Sequence, residues 1–416
     1  MQKYLGYKCS ICGHEYDPDE VIYTCPSDGG NLDVVLDYKQ LRAKFSPQSW
    51  INQDEPSLWR YLPLLPVQTP PGKNTPLWAA GWTPVFAPER LAEELEIKNL
   101  WVKDESRNPT ASFKDRASAI VVARAMQTSA EVVVTASTGN AGAALAGMSA
   151  AVDQKAVIFA PRTAPPAKIA QLLVFGAQVL LVDGTYDDAF DLSVKAAEEF
   201  GWYCRNTGFN PFTAEGKKTA AFEIWEWFSK HQEIAEHLKN LCVFVSVGDG
   251  NIISGIHKGF KDLTTLGWLS EMPRIFGVQS EGSAAISNAF IAGNEEIIPV
   301  SANTLADSIS VDLPRDGVRA LRAATQTGGA YIQVSDQEIL NAIADLGRVG
   351  VFAEPAGAAS LAGLRKALQE GIIAKDSPVL VLITGSGLKD VKAAMQAVAE
   401  APIIEPSLEA VKKILE

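Results

Sequence analysis

Short apolar runs alternate with longer amphipathic stretches through most of this chain, starting near residue 77. Continuous apolar runs are typical of buried strands, and apolar residues three and four positions apart are typical of helices. The strand-like runs lie at 100–103, 132–135, 156–159, 178–182, 242–247, 274–279 and 379–384. The helix-like stretches lie at 89–95, 115–126, 140–151, 164–175, 186–200, 214–230, 251–263, 314–327, 335–345, 356–368 and 388–399. This alternation predicts an α/β architecture with largely parallel sheets.

The segments that flank this pattern differ from it in composition. Residues 39–75 are rich in proline and tryptophan and predict an irregular arm packed over the main body. Aromatic residues in such an arm more often serve packing or subunit contacts than ligand binding. The alternating elements occupy residues 76–405, and residues 406–416 form a C-terminal tail.

Residues 1–38 predict a separate small unit that resembles a zinc ribbon. Cys9 and Cys12 form a Cys-x-x-Cys pair, and Cys25 with Asp28 repeats the spacing with a carboxylate in the last place. A full ribbon has four cysteines, but carboxylate oxygen also binds zinc, so a structural zinc ion on these four residues is one hypothesis. The alternative is a degenerate ribbon that keeps its turns and has lost its metal.

Composition and charge limit the kinds of molecule that this chain can bind and the compartment in which it is expected. The chain has 416 residues, 47% apolar and 21% charged, which is ordinary for a globular protein, and its net charge is −12. An acidic chain without a basic face argues against nucleic acid. No apolar run is long enough to span a membrane, and the N-terminus does not resemble a secretory signal. Five cysteines, an odd number, favour a reducing compartment, so we expect a cytoplasmic protein.

Lys114 is the strongest candidate for covalent chemistry. It follows the turn-forming Asn-Pro-Thr that begins at Asn108 and comes directly before the helical run 115–126. The positive end of a helix and desolvation both disfavour an ammonium ion, and a neutral amine attacks aldehydes to form a Schiff base. An exposed surface lysine is the alternative interpretation of this residue alone.

Two strand-to-helix loops add binding potential. The segment Thr-Ala-Ser-Thr-Gly-Asn-Ala-Gly at 135–142 joins hydroxyls and backbone N–H groups in a cradle suited to a carboxylate, with Asn140 as a further donor. The segment Gly-Asp-Gly-Asn-Ile at 248–252 follows a buried strand, and its glycines let the backbone approach a phosphate. It matches neither a Walker loop nor a complete dinucleotide fingerprint.

A Schiff-base lysine, a carboxylate cradle and a phosphate loop together fit pyridoxal phosphate. On these residues the chain resembles the fold-type II pyridoxal-phosphate enzymes and, within them, the threonine synthases. The matching stretches, within roughly 75–399, are Asn-Pro-Thr-Ala-Ser-Phe-Lys-Asp-Arg at 108–116, Ser-Thr-Gly-Asn-Ala-Gly at 137–142, Glu-Gly-Lys-Lys-Thr-Ala-Ala-Phe-Glu at 215–223, Gly-Asp-Gly-Asn-Ile at 248–252, Glu-Pro-Ala-Gly-Ala-Ala at 354–359 and Thr-Gly-Ser-Gly-Leu-Lys-Asp at 384–390. The resemblance implies the two-domain, tryptophan synthase β-like fold with a smaller domain nested at about 117–205, the cofactor between the domains, and a homodimer.

The resemblance also implies roles for individual residues. Lys114 would carry the cofactor and move protons at Cα and Cβ of O-phosphohomoserine, an amino-acid substrate that yields threonine and phosphate. The cofactor-binding residues would be Lys114, Asn140 at the ring's 3′ oxygen, Thr384 at the pyridine nitrogen, and Gly248, Asp249, Gly250, Asn251 and Ile252 at the phosphate. The substrate-binding candidates are Ser112, Arg116, Ser137, Thr138 and Gly139; for Arg116 the alternative is an ion pair with a nearby acid.

Two departures from the family keep other activities open. The family usually has arginine, which helps to hold the substrate phosphate, where this chain has Thr213, and histidine where it has Ser386. A threonine or serine dehydratase needs no substrate-phosphate site and is the first alternative. A β-replacement enzyme acting on an O-phospho amino acid is the second. A catalytically silent binding or scaffold protein is the third, and the intact Lys114 argues against it.

Overall fold

The computed structural model describes residues 4–51 and 53–415. Outside the described part lie residues 1–3 of the predicted ribbon, residue 52 of the arm and residue 416 of the tail. The strands are β1 Gly6–Cys9, β2 Glu15–Tyr16, β3 Leu32–Val35, β4 Val85–Phe86, β5 Leu100–Asp104, β6 Val132–Ala136, β7 Lys155–Pro161, β8 Gln178–Val182, β9 Tyr203–Cys204, β10 Cys242–Ser246, β11 Arg274–Ser280, β12 Tyr331–Val334 and β13 Val379–Ile383. The helices are α1 Tyr38–Lys44, α2 Gln48–Ile51, α3 Glu89–Glu94, α4 Lys114–Gln127, α5 Asn140–Ala150, α6 Pro166–Val174, α7 Tyr186–Phe200, α8 Phe212–Lys217, α9 Thr219–Lys230, α10 Asn251–Thr265, α11 Ala285–Ala292, α12 Gly317–Thr325, α13 Asp336–Arg348, α14 Pro355–Gln369, α15 Val391–Gln396 and α16 Leu408–Leu415.

The larger sheet has six strands in the order β12-β11-β10-β13-β5-β4. All neighbouring pairs are parallel except β4 with β5 at the edge. The central strands β10 and β13 are buried along their whole length, because helices cover both faces of the sheet. The α/β class with largely parallel sheets is therefore confirmed.

The smaller sheet has four parallel strands in the order β8-β7-β6-β9. Its strands lie between residues 132 and 204, inside the range expected for the nested domain. Its own apolar cluster joins β6 and β7 to α7 through Val134, Phe159 and Phe190. The exact division of the chain into domains stays a prediction.

The N-terminal unit is a three-stranded antiparallel sheet in the order β2-β1-β3. It does not stand apart from the body, because Tyr7 and Leu32 share an apolar cluster with Trp59 of the arm and Val121 of α4. Asn31 also donates hydrogen bonds from Nδ2 to the carbonyl oxygens of Gly208, at 2.5 Å, and Arg315, at 3.2 Å.

The arm and the tail are more regular than their composition predicts. The arm contains α1, α2 and a 3₁₀ turn at Leu58–Leu64; the carboxylate of Asp37 caps α1 by accepting from the Gln40 N–H at 2.9 Å. The aromatics Trp50 and Tyr61 of the arm are fully buried against α9, which matches the expected packing role. The predicted tail carries α16. Over the described residues, no helix is both long and apolar enough to cross a lipid bilayer.

Candidate active site

The predicted site residues meet in a cavity of about 630 Å³ between the two parallel sheets. The carboxyl ends of β6, β10 and β13 all open into this cavity, as expected of ligand sites in parallel α/β sheets. Of the candidates, the cavity is lined by Lys114, Ser137, Thr138, Gly139, Asn140, Gly248, Asp249, Gly250, Asn251, Ile252 and Thr384.

Lys114 is the first residue of α4, one position earlier than the sequence pattern predicts. The loop before it is tied to the segment after β13 by two backbone hydrogen bonds, from the Phe113 N–H to the Thr384 carbonyl at 2.8 Å and from the Ser386 N–H to the Ala111 carbonyl at 3.1 Å. Burial is the largest influence on Lys114, and it lowers the pKa of the amine below its usual value. Burial therefore shifts the amine toward its neutral, nucleophilic form.

The loop between β6 and α5 presents free backbone donors to the cavity. The Ser137 N–H donates to the Phe159 carbonyl at 3.1 Å, whereas the N–H groups of Thr138 and Gly139 have no acceptor among the described residues. They lie at the N-terminus of α5, whose partial positive charge favours an anion. This arrangement is suited to a carboxylate.

The loop between β10 and α10 is a second anion site. The N–H groups of residues 248–250 also have no acceptor in the described part of the chain. Gly250 has φ of +88°, and a Cβ there would lie 2.6 Å from the Asp316 carbonyl oxygen. A Cβ at Gly248 would lie 2.8 Å from the Ile309 Cα. Only glycine fits at both positions, so the backbone can enclose a phosphate closely.

Comparison with known proteins agrees with this geometry. Residues 78–385 match the family model described as "Pyridoxal-phosphate dependent enzyme". The chain is 40% identical to the threonine synthase of Methanocaldococcus jannaschii over 411 residues, and 36% identical to that of Methanosarcina acetivorans over 411 residues, with 98% of each chain covered in both cases. The chain belongs to the threonine synthase family of pyridoxal-phosphate-dependent enzymes.

Solved structures show the fold. The processed form of threonine deaminase isoform 2 from Solanum lycopersicum superposes with a TM-score of 0.65 at 22% identity, covering 80% of this chain and 92% of that one. This confirms the fold-type II architecture. As a member of this family, the chain is a pyridoxal-phosphate-dependent lyase.

The cavity fits that cofactor. Its donor set includes the Lys114 amine, whose pKa burial lowers, and unpaired N–H groups at 248–250 that suit a phosphate. Thr384 Oγ1 lies 3.5 Å from Ser246 Oγ and provides a neutral hydroxyl at the end of β13. Ser112, a predicted substrate contact, is fully buried and does not line the cavity; its Oγ has no hydrogen-bond partner within the described residues.

Glu354 is a cavity residue to which the sequence analysis assigned no role, although its motif was recognised. Asn140 donates from Nδ2 to both of its carboxylate oxygens, at 2.8 and 3.1 Å. Burial raises the pKa of Glu354, and Asn140 and Lys114 partly oppose that shift. The Asn140 amide is thus oriented by Glu354. A buried glutamate at a helix N-terminus, here that of α14, was the available signal.

Arg116 lies outside the cavity and is fully buried. Its guanidinium donates to Glu105 at 2.7 Å and to Glu223 at 2.5 Å. Pairing with nearby acids was the alternative for this residue, and the structure shows that arrangement. Arg116 is therefore a structural residue and not a substrate contact.

The two positions that depart from the family pattern also make internal contacts. Thr213 is fully buried, and its Oγ1 donates to the Asn210 carbonyl at 2.7 Å and to Asn251 Oδ1 at 3.1 Å. Ser386 caps the 3₁₀ turn that follows it by accepting from the Leu388 N–H at 3.3 Å. Neither residue lines the cavity.

The cysteine-rich unit brings four metal-ligand atoms together. The Sγ atoms of Cys9, Cys12 and Cys25 and an oxygen of Asp28 all lie within 4.8 Å of one another. Both turns have the same form, with the N–H of Gly13 or Gly29 donating to the carbonyl of Cys9 or Cys25.

Proposed function

We propose that this chain makes L-threonine and phosphate from O-phospho-L-homoserine and water, and so serves threonine biosynthesis. The observation that carries the proposal is the convergence of Lys114 with two sets of unpaired backbone N–H groups, at 138–139 and 248–250, in one cavity. The similarity to threonine synthases along nearly the whole chain supports this choice of reaction.

Each group of residues has a distinct task. When bound, pyridoxal phosphate supplies an aldehyde for amines and a ring that withdraws electrons. The Lys114 amine carries the cofactor, removes the protons at Cα and Cβ of the substrate, and returns a proton as threonine forms. The N–H groups of Thr138 and Gly139, with the Ser137 hydroxyl, hold the substrate carboxylate.

The cofactor would be held mainly by uncharged groups: backbone N–H groups, a hydroxyl and a side-chain amide. Residues Gly248, Asp249, Gly250, Asn251 and Ile252 hold its phosphate through backbone N–H groups and the N-terminus of α10. Thr384 would face the ring nitrogen of the bound cofactor and leave it neutral, which favours eliminations in which a leaving group departs promptly. Asn140, oriented by Glu354, would bind the ring's 3′ oxygen. Phosphate leaves from Cγ and water adds at Cβ.

The test is the release of threonine and phosphate from O-phosphohomoserine by the purified enzyme. Lys114→Ala should lower the turnover number by about 10³-fold or more, because nucleophile and base are lost together. It should also lose the visible absorption band that depends on cofactor attachment. An unchanged rate in this variant would disprove the assigned role.

A dehydratase remains the competing activity, because Thr213 brings no charge for a substrate phosphate. Rapid formation of a 2-oxo acid from threonine, together with no phosphate release from O-phosphohomoserine, would establish that alternative.

For the N-terminal unit we propose a structural zinc ion on Cys9, Cys12, Cys25 and Asp28. The Cys12 and Cys25 sulfurs are 3.8 Å apart, which is close to the roughly 3.8 Å that a tetrahedral site with Zn–S bonds of about 2.3 Å requires. Elemental analysis should find about one zinc per chain, and Cys9→Ser should lower that content. Zinc absent from the wild-type protein would favour the degenerate ribbon.

We also propose a cytoplasmic homodimer. All five cysteines are free thiols, which suits a reducing compartment. Light scattering at micromolar concentration tests the oligomeric state, and a monomeric mass would reject the dimer.

A further inference from the structure

Two cations besides Lys114 line the cavity and form no salt bridge with a described residue. The side chains of Lys217 and Arg205 are fully buried. Neither takes part in an ion pair with any described residue, whereas most other buried cations of this chain do. A buried charge without a partner is costly, so such residues in a cavity point to an anionic ligand.

Arg205 is only partly satisfied by the protein. Its Nε donates to Ser118 Oγ at 3.2 Å, and one terminal nitrogen donates to Thr207 Oγ1 at 2.6 Å. The other terminal nitrogen is buried and has no hydrogen-bond partner in the described part of the chain. Buried donors are normally paired, so this nitrogen requires an acceptor that the protein does not supply. Burial also lowers the pKa of Arg205 to about 10.

Lys217 lies on α8, one helical turn after Thr213. Residues four apart on a helix share a face, and here both side chains reach the same atom: Lys217 Nζ and Thr213 Oγ1 both donate to Asn251 Oδ1. Asn251 is held in this orientation because its Nδ2 donates to Asp316 Oδ2 at 2.6 Å. Lys217 thus brings an amine, which an anion would hold as ammonium, to the same Asn251 oxygen that Thr213 contacts.

We propose that Lys217 and Arg205 bind the phosphate group of the substrate, with Lys217 replacing the arginine that the family has at the position of Thr213. This inference rests on the proposed function. The cofactor phosphate is already provided for by the neutral N–H groups of residues 248–250, so these two cations remain for a second phosphate. When the Cγ–O bond breaks, its electron pair stays with the phosphate oxygen, and both cations stabilise the added negative charge.

Lys168, a further cation that lies near Thr138 and Asn140, is already engaged. Its Nζ forms an ion pair with Asp307 at 2.5 Å, and a quarter of its side chain is exposed. A paired lysine at the edge of the site cannot compensate for a missing buried arginine as Lys217 does.

The test uses holoenzyme of the single variants Lys217→Met and Arg205→Met. Each substitution should raise two quantities by about 10- to 100-fold: the KM for O-phosphohomoserine and the Kd for inorganic phosphate, the latter measured by calorimetry. The reason is that each substitution removes a charge-assisted hydrogen bond to phosphate. The Kd for L-threonine, which carries no phosphate, and the Kd for pyridoxal phosphate in spectral titrations should change less than about threefold.

An exchange variant sharpens the test. Thr213→Arg combined with Lys217→Met should recover most of the lost phosphate affinity, because the charge returns to the same face of α8. Lys155→Met is the matched control, since Lys155 is exposed and its one ion-pair partner within residues 4–51 and 53–415 is Glu131, at 2.8 Å. This control should leave all four quantities unchanged. Arg205→Met and the exchange variant carry the test if Lys217→Met does not fold.

Two outcomes would overturn the inference. One is unchanged phosphate affinity in both single variants. The other is loss of pyridoxal phosphate affinity with phosphate and substrate affinity intact, which would assign the two cations to the cofactor. Binding of inorganic phosphate to the holoenzyme does not depend on the reaction catalysed. If the proposed function failed, the Kd for inorganic phosphate would therefore still test the role of the two cations.

Discussion

Two groups of buried charged residues lie close together in this molecule, and they differ in whether their charges are paired with other side chains. The ionic network consists of Lys103, Glu105, Arg116 and Glu223, and the cavity cations are Lys114, Arg205 and Lys217. In the network Arg116 uses Nε and both terminal nitrogens on carboxylates, and Lys103 donates to Glu223 at 2.8 Å. Among the described residues the cavity cations have no such partners.

The comparison is clearest for the two arginines. Both Arg116 and Arg205 are fully buried. Glu105 and Glu223 raise the pKa of Arg116 against the opposing effect of burial, whereas burial dominates at Arg205 and lowers its pKa. Burial and residue type therefore do not separate a structural arginine from a ligand-binding one. The satisfaction of its N–H groups does.

The largest effect is expected from breaking the network. Glu223→Gln removes one of the two carboxylates that pair with both Arg116 and Lys103, Glu105 being the other, so the free energy of unfolding should fall by about 3–5 kcal/mol. Urea denaturation followed by circular dichroism measures this change. Glu131→Gln, which removes a carboxylate from an exposed ion pair, is the control and should cost less than about 1 kcal/mol. Equal losses of unfolding free energy in the two variants would contradict the distinction between buried and exposed ion pairs.

A smaller effect is expected from the pH dependence of the cofactor-free enzyme. Burial, reinforced by Lys114 and Arg205, holds the pKa of Lys217 well below its usual value. The unfolded chain therefore binds a proton that the folded chain lacks, and stability should rise with pH until the unfolded lysine titrates near about pH 10.4.

Lys217→Met should remove this contribution. The difference in unfolding free energy between wild type and variant should change with pH between 8 and 10 by at most about 1.4 kcal/mol per pH unit. A pH-independent difference would mean that Lys217 stays charged in the cavity. Adding inorganic phosphate should weaken the dependence, because an anion favours the ammonium form.

The smallest effect on stability is expected for Arg205→Met in the cofactor-free protein. Replacing a buried cation that lacks a counter-ion should change the free energy of unfolding by less than about 1 kcal/mol, in either direction. With pyridoxal phosphate bound, so that the loop at 248–250 is occupied, inorganic phosphate should stabilise the wild type against heat and leave the variant nearly unaffected. A loss as large as that of Glu223→Gln would place Arg205 with the structural charges.

Local patterns determined much of this protein in advance. The strand at Gln178–Val182 and the helices that follow β6 and β10 were predicted from apolar runs followed by glycine-rich loops. Such signals are local, since a buried strand needs a continuous apolar run and a phosphate loop needs glycine where a side chain would collide. The short edge strands β4, β9 and β12 escaped prediction, whereas the longer edge strand β8 did not, because strands of two to four residues carry too little of the apolar signal.

The sequence by itself determined the fold class, the position of Lys114 at the start of a helix, and the two anion-binding loops, because each depends on residues adjacent in the chain. Only the tertiary structure decided which charged residues meet. It directed Arg116 to Glu105 and Glu223, placed Glu354 against Asn140, and left Arg205 and Lys217 unpaired in the cavity. The physical reason is that the state of a buried charge depends on partners that are distant in the chain, about a hundred residues away in the case of Arg116 and Glu223.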